Sequence, residues 1–211
     1  MRLAIFGATG RTGRHLVEQA LEAGYEVMAF ARQPSKLAAT HERLTVVQGD
    51  ATDPASVERA VQGTDAVISV LATSSSPIIA KTQPLKRATQ NILAAMKKSG
   101  VRRLIISSSG IPQPDDLPDL RFKVLRGFVR LVVPASYQDT VASVQVVRSS
   151  DVDWTVARMT PTNSPPTGRV GAGYVNKDTK MLISRSDAAM FMIKEINENA
   201  WIRQAPVIYS D

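Results

Sequence analysis

The chain has 211 residues, 44% of them hydrophobic, with 12 Gly and 12 Pro; this suffices for one substantial core, so a single domain over 1–211 is expected. It has no Cys, which excludes disulfides, thiolate metal sites and a Cys nucleophile, and its two His and scattered carboxylates offer no metal centre. The net charge of +7 suits an acidic ligand, but no nucleic-acid motif accompanies it and no apolar run approaches the ~18 residues of a spanning helix. The expectation is a soluble, cytoplasmic protein with neither a nucleic-acid nor a membrane partner; monomer and homodimer are both left open.

In chain order, an apolar strand from Leu3 to Phe6 runs into Gly7, Gly10 and Gly13. A helix over 14–23 follows, with Leu16, Val17, Ala20 and Leu21 at helical spacing and Gly24 as its stop. Tyr25 to Arg32 reads as a buried strand and Leu44 to Gln48 as a third, ending at Gly49 and Asp50. Asp53 caps a helix that Pro54 opens and that buries Val57 and Ala60. Asp65 to Leu71 is the fourth strand. Pro84 to Lys98 is a long helix with Ala88, Ile92, Leu93 and Met96 on its apolar face, ending at Gly100, and Leu104 to Ser107 is the fifth strand.

Beyond Gly110 the rhythm loosens. A loop over Pro112 to Asp119 precedes helices from Leu120 to Val133 and from Ser136 to Ser149. A sixth strand, Trp154 to Arg158, leads to a loop from Thr160 to Gly173. Ser186 or Asp187 caps a closing helix through Ile196, and Pro206 to Tyr209 is a final strand. This alternation predicts an α/β fold, a Rossmann-type doubly wound parallel sheet with a small C-terminal extension on the substrate side. In such a sheet the loops after Phe6, Arg32, Leu71, Ser107 and Arg158 share one crevice at the carboxyl ends of the strands.

The three glycines then acquire a chemical meaning. Gly7 permits a tight turn, Gly10 leaves room for backbone to approach a pyrophosphate, and Gly13 lets helix and strand pack closely, although the spacing is GxxGxxG rather than GxGxxG. Free N–H groups at the helix start would face the phosphates. The second strand ends in Ala31 and Arg32 with no acid before Glu42, which favours a ribose 2′-phosphate, hence NADP(H), over a free 2′-hydroxyl. Lys36, Arg11 and Arg14 can add positive charge nearby. Asp50 either meets the adenine amino group or caps the turn into the next helix.

With Gly7-Ala8-Thr9-Gly10 and Arg32 in hand, the chain resembles the atypical short-chain dehydrogenase/reductase family over nearly its whole length. Within it, the NmrA-like branch and the biliverdin-IXβ reductase/flavin reductase group are the most similar. Further marks are Gly49-Asp50, the strand from Asp65 leading to Thr73, Ser107-Ser108-Ser109, and Ile183-Ser184-Arg185-Ser186-Asp187. The resemblance implies that Thr9, Arg11 and Thr12 hold the pyrophosphate and Arg32 the 2′-phosphate. It also implies that Leu71, Ala72 and Thr73 lie along the cofactor, Ser109 near the nicotinamide, and Met159, Thr160 and Pro161 under its amide. The family has two prolines at the tail of the sixth strand, and Met159 and Thr160 depart from that.

Hydride transfer to a ketone also needs a proton donor. Ordinary members of the larger family use a Tyr and a Lys four residues later; here Tyr137 is followed by Val141, and an unassisted phenol is a poor acid at neutral pH. An electron-poor acceptor such as a flavin, quinone or tetrapyrrole takes hydride while solvent supplies the proton, so the expected small-molecule partner is of that kind. Ser109, with Tyr137 as a second candidate, then touches the chemistry, while Ser107 and Ser108 either bond to backbone or contact the cofactor. The basic stripe Arg121, Lys123, Arg126 and Arg130 is either a solvated helix face or a surface for an acidic ligand or partner. The alternative to a reductase is a non-catalytic NADP(H) sensor that docks a protein through that stripe.

Overall fold

The computed structural model describes residues 1–72, 82–109, 134–174, 180 and 182–211. Within them lie eight strands, β1 (Arg2–Phe6), β2 (Glu26–Ala31), β3 (Leu44–Gln48), β4 (Ala66–Ser69), β5 (Arg103–Ser109), β6 (Asp153–Met159), β7 (Val170–Gly173) and β8 (Val207–Ser210). The helices are α1 (Arg11–Glu22), α2 (Pro54–Val61), α3 (Pro84–Ser99), α4 (Pro134–Arg148) and α5 (Arg185–Glu198), with one 3-10 turn, Pro34–Lys36. All strands join one sheet in the order β3-β2-β1-β4-β5-β6-β8-β7, parallel except for the β7–β8 pair.

Alternation along the strands divides the core in two. From β1, Leu3 and Ile5 join a cluster with Leu16, Val17 and Ala20 of α1 and Ala188, Ala189 and Met192 of α5. Ala4 and Phe6 face the other way, toward Val57 and Val61 of α2, Ile92 and Met96 of α3, and Val144 and Val147 of α4. Because β3, β2 and β1 are laid down in one direction from the centre and β4, β5 and β6 in the other, the order reverses between β1 and β4. A crevice opens at that point, at the carboxyl ends of the strands.

Expected and observed elements differ at several ends. β5 runs to Ser109 because β6 pairs with it as far as Met159, Ser108 opposite Arg158 and Ser109 opposite Met159. β4 stops at Ser69, although Val70 N–H still donates to Phe6 C=O. β7 lies inside the stretch expected to be loop: its sequence, Val-Gly-Ala-Gly, carries no alternating apolar signal, and its antiparallel pairing with β8 is what makes it a strand. The closing helix begins at Arg185 and is capped by Ser184, whose hydroxyl accepts the Asp187 N–H, rather than by Ser186 or Asp187. The loop expected over 112–119, the helix expected over 120–133 and Thr73 lie outside the described residues.

Candidate cofactor site

The turn after β1 is built by close approach. Gly7 has φ +84°, a left-handed conformation, and its carbonyl accepts the Gly10 N–H at 2.9 Å. A Cβ on Gly13 would stand 2.0 Å from the same carbonyl oxygen, so α1 packs against the turn only because residue 13 has no side chain. Gly10 is the N-cap of α1 and supplies no side chain to it, and the first turn holds no acid. The first N–H groups of a helix have no partner within it, so the start of α1 is free to take phosphate oxygens.

This turn forms one wall of a cavity of about 700 Å³. Gly7, Thr9 and Gly10 contribute from the β1 side, and Phe30, Ala31, Arg32, Gln33 and Lys36 from the end of β2 and the turn after it. Asp50, Ala51 and Thr52 line it from the end of β3, Val70, Leu71 and Ala72 from the end of β4, and Pro84, Leu85 and Ala88 from α3. Phe30 is held by Phe6, ring centroids 4.8 Å apart. Eight of the residues singled out in the sequence therefore meet here: Gly7, Thr9, Gly10, Arg32, Lys36, Asp50, Leu71 and Ala72. Arg11, Thr12 and Gly13 open α1 beside them. A smaller cavity of about 460 Å³ lies at the opposite, amino ends of the strands, around Asp65, Arg102 and Arg103, and has neither the glycine turn nor a helix start.

Charge in the large cavity is arranged around the β2 end. Asp50 Oδ1 accepts from Thr52 N–H at 2.8 Å and from the Thr52 hydroxyl at 2.7 Å, which closes the turn toward α2. These two bonds, with a smaller contribution from the Arg32 charge, outweigh burial and hold the Asp50 carboxyl below its ordinary pKa. Arg14 donates to the Lys36 carbonyl at 3.2 Å and so pins the 3-10 turn against α1; among the described residues, Arg32 and Lys36 are the cations that line the cavity.

The remaining candidates gather around β5 and β6. Ser107, Ser108 and Ser109 end β5, and α4, which carries Tyr137, packs on both β5 and β6. Among the described residues Ser108 Oγ is buried with no hydrogen-bond partner, which sets it apart from the backbone-bonded strand-end serines considered from the sequence. Thr160 is buried and gives both its N–H and its hydroxyl to the Ile208 carbonyl, at 3.4 and 3.3 Å. Met159 is half-buried against the α1 and α5 side of the core, and the Pro161 carbonyl accepts from Asn163 and Ile183. Sequence reasoning missed the α3 wall and the bond from Asn91 Nδ2 to Ala51 C=O, 2.9 Å, that ties α3 to the end of β3. It also missed Arg158, 1% exposed, whose Nε donates to Ala205 C=O. None of these has a local sequence signal, because each partner lies on another element.

Glycine turn, uncapped helix start and cationic strand end at the switch point of a parallel sheet together define a Rossmann-type dinucleotide-binding protein. Residues 7–199 match the model of the NAD(P)H-binding family, and the chain belongs to that family. A reductase of (4-alkanoyl-5-oxo-2,5-dihydrofuran-3-yl)methyl phosphate from Streptomyces griseus is 29% identical over 156 residues, 74% of this chain. The chain spans 46% of that protein's length and about a third of two further curated relatives. Among solved structures, a short-chain dehydrogenase/reductase from Veillonella parvula in complex with NADP superposes with a TM-score of 0.79 at 19% identity, covering 99% of this chain and 94% of that one. ChuY, an anaerobillin reductase from Escherichia coli O157:H7, superposes with a TM-score of 0.76 at 20% identity, covering 100% and 97%. Among the described residues, no helix is long and apolar enough to cross a membrane, and no group of three or more His, Asp or Glu could hold a metal ion.

Proposed function

We propose that the chain is an NADPH-dependent reductase that passes hydride to a small, flat, electron-poor acceptor, a flavin, quinone or tetrapyrrole, with solvent supplying the proton. The observation that carries this reading is the large cavity, in which the glycine turn, the uncapped start of α1, Arg32 and Lys36 share one wall-to-wall space. Bound NADPH supplies the hydride from its nicotinamide. The start of α1 holds the pyrophosphate, and Arg32 with Lys36 holds the 2′-phosphate. Leu71 and Ala72 lie along the nucleotide and keep water from it. Ser109, at the end of β5, orients the nicotinamide or the acceptor.

Proton supply by solvent is favoured by α4 itself. One turn beyond Tyr137 on the same helix stands Val141, so no lysine accompanies the phenol where a ketone reductase needs one. That a relative and a structural neighbour are both named reductases supports the reaction class. Steady-state oxidation of NADPH against a panel of flavins, quinones and tetrapyrroles tests the reading, and turnover with at least one acceptor is expected. NADPH binding without turnover on any of them would overturn the reductase and leave a nucleotide-binding protein.

A further inference from the structure

Helix α3, which walls the cavity, is capped from a distance. Its own N-cap residue, Gln83, sits in the left-handed region at φ 40° and gives no side-chain cap. Instead the first-turn N–H groups of Leu85 and Lys86 donate to the two carboxylate oxygens of Asp139, at 3.0 and 2.9 Å. Asp139 belongs to α4 and is 0% exposed. A carboxylate is buried this deeply only when both oxygens are met, and here the charge-assisted bonds and the positive end of α3 meet them.

A polar seam continues below. Thr89 gives its hydroxyl proton to Leu85 C=O, so the 2.8 Å contact between Thr89 Oγ1 and Ser143 Oγ is donated by Ser143 of α4. Among the described residues, the other helices with a side-chain cap take it from the adjoining residue: Asp53 on α2 and Ser184 on α5. A local cap would serve the stability of α3 equally well. A cap delivered by α4 also fixes where the first turn of α3 stands, and that turn presents Pro84 and Leu85 to the cavity.

We propose that Asp139 is a positioning residue for the nucleotide: by holding the first turn of α3 it sets the cavity wall, and by filling that helix start with a carboxylate it leaves α1 as the seat for phosphate. This rests on the cavity being the NADPH site, and Asp139 itself does not touch the nucleotide.

The test is calorimetric titration of NADPH into the wild-type chain, Asp139→Asn, Asp139→Ser and Ser143→Ala, each with its melting temperature. Both Asp139 variants retain an acceptor, so each keeps part of the cap, and either one alone suffices. Expected is a Kd raised roughly tenfold in them, the size of one charge-assisted hydrogen bond expressed as binding, with stoichiometry unchanged. Ser143→Ala is expected to lower the melting temperature and leave Kd within about twofold. A variant that merely unfolds in part would lose binding sites while keeping the wild-type Kd, and that result overturns the proposal. So does an equal rise in Kd for Ser143→Ala. Absence of NADPH binding by the wild type would instead overturn the cofactor reading on which the proposal stands.

Discussion

An aspartate in place of Arg32 would put a second carboxylate near Asp50 in the wall of the cavity. Arg32→Asp is therefore expected to lower NADPH affinity roughly ten- to hundredfold, the equivalent of a charge-assisted bond worth about 1.5–3 kcal/mol, and to spare NADH. Calorimetry with both nucleotides decides it; equal NADPH affinity in the two proteins would remove Arg32 from the site. Gly13→Ala presses a Cβ to 2.0 Å from the Gly7 carbonyl, where neither partner is a flexible side chain. Its loss of stability should exceed the roughly 1–3 kcal/mol of ordinary overpacking, read from thermal denaturation. Gly13 was legible in the sequence because its role is local, the close packing of α1 on the turn, whereas Arg32 was legible as a cation at a strand end, and the structure puts it in the cavity wall. Asp50 was legible only as an alternative, and the Thr52 bonds place it in the turn toward α2. Leu85, Asn91 and Asp139 were not legible, since each acts on a partner that the fold, not the chain, brings near.

Helices and strands with an apolar period were readable to within a few residues, and β3 ran from Leu44 to Gln48 as expected. The segment before α5 was readable as a motif but not in its geometry. Asp187 is buried in the first turn of α5 and accepts from Ser210 Oγ at 2.6 Å, from the Thr167 N–H and hydroxyl at 3.0 and 3.2 Å, and from the Gly168 N–H at 3.1 Å. It thereby ties the loop that precedes β7, and β8 itself, to the helix, at the end of the pair whose antiparallel bonding makes β7 a strand. Burial alone would raise its pKa; the bonds from Ser210, Thr167, Ser184 and Gly168 outweigh burial and leave it below the ordinary carboxylate value. A carboxyl with a lower pKa folded than unfolded stabilises the fold above its unfolded value of about 3.9, and that contribution is lost as pH falls through the folded value. Asp187→Asn should accordingly melt below the wild type at neutral pH, with the gap closing below about pH 4. A gap that stays constant from neutral to acid pH would show that the charge of Asp187 is not what ties the loop and β8 to the helix.

The two ends of the sheet do different work. At the carboxyl end, loops and an uncapped helix face an open cavity; at the amino end, Arg103 at the start of β5 is bolted to Glu195 of α5. The ion pair measures 2.8 Å, and Glu195 Oε1 also accepts from the Trp201 N–H at 2.9 Å and the Thr155 hydroxyl at 3.3 Å. Arg103 donates further to the carbonyls of Asp153 and Glu195. Both residues are buried, at 8% and 2% exposure, and burial pulls the Arg103 pKa down against the opposing charges of Glu195 and Asp153. Removing one partner of such a pair strands the other charge in the interior, so Glu195→Ala should cost about 3–5 kcal/mol, measured by urea unfolding. The site lies a strand's length away, about 20 Å for the seven residues of β5, beyond the range at which substitutions ordinarily couple. The folded fraction of Glu195→Ala should consequently bind NADPH with a Kd within about twofold of the wild type. A large change in Kd would mean that the bolt at the amino end also shapes the crevice, and unchanged stability would mean that Arg103 finds other acceptors when Glu195 is gone.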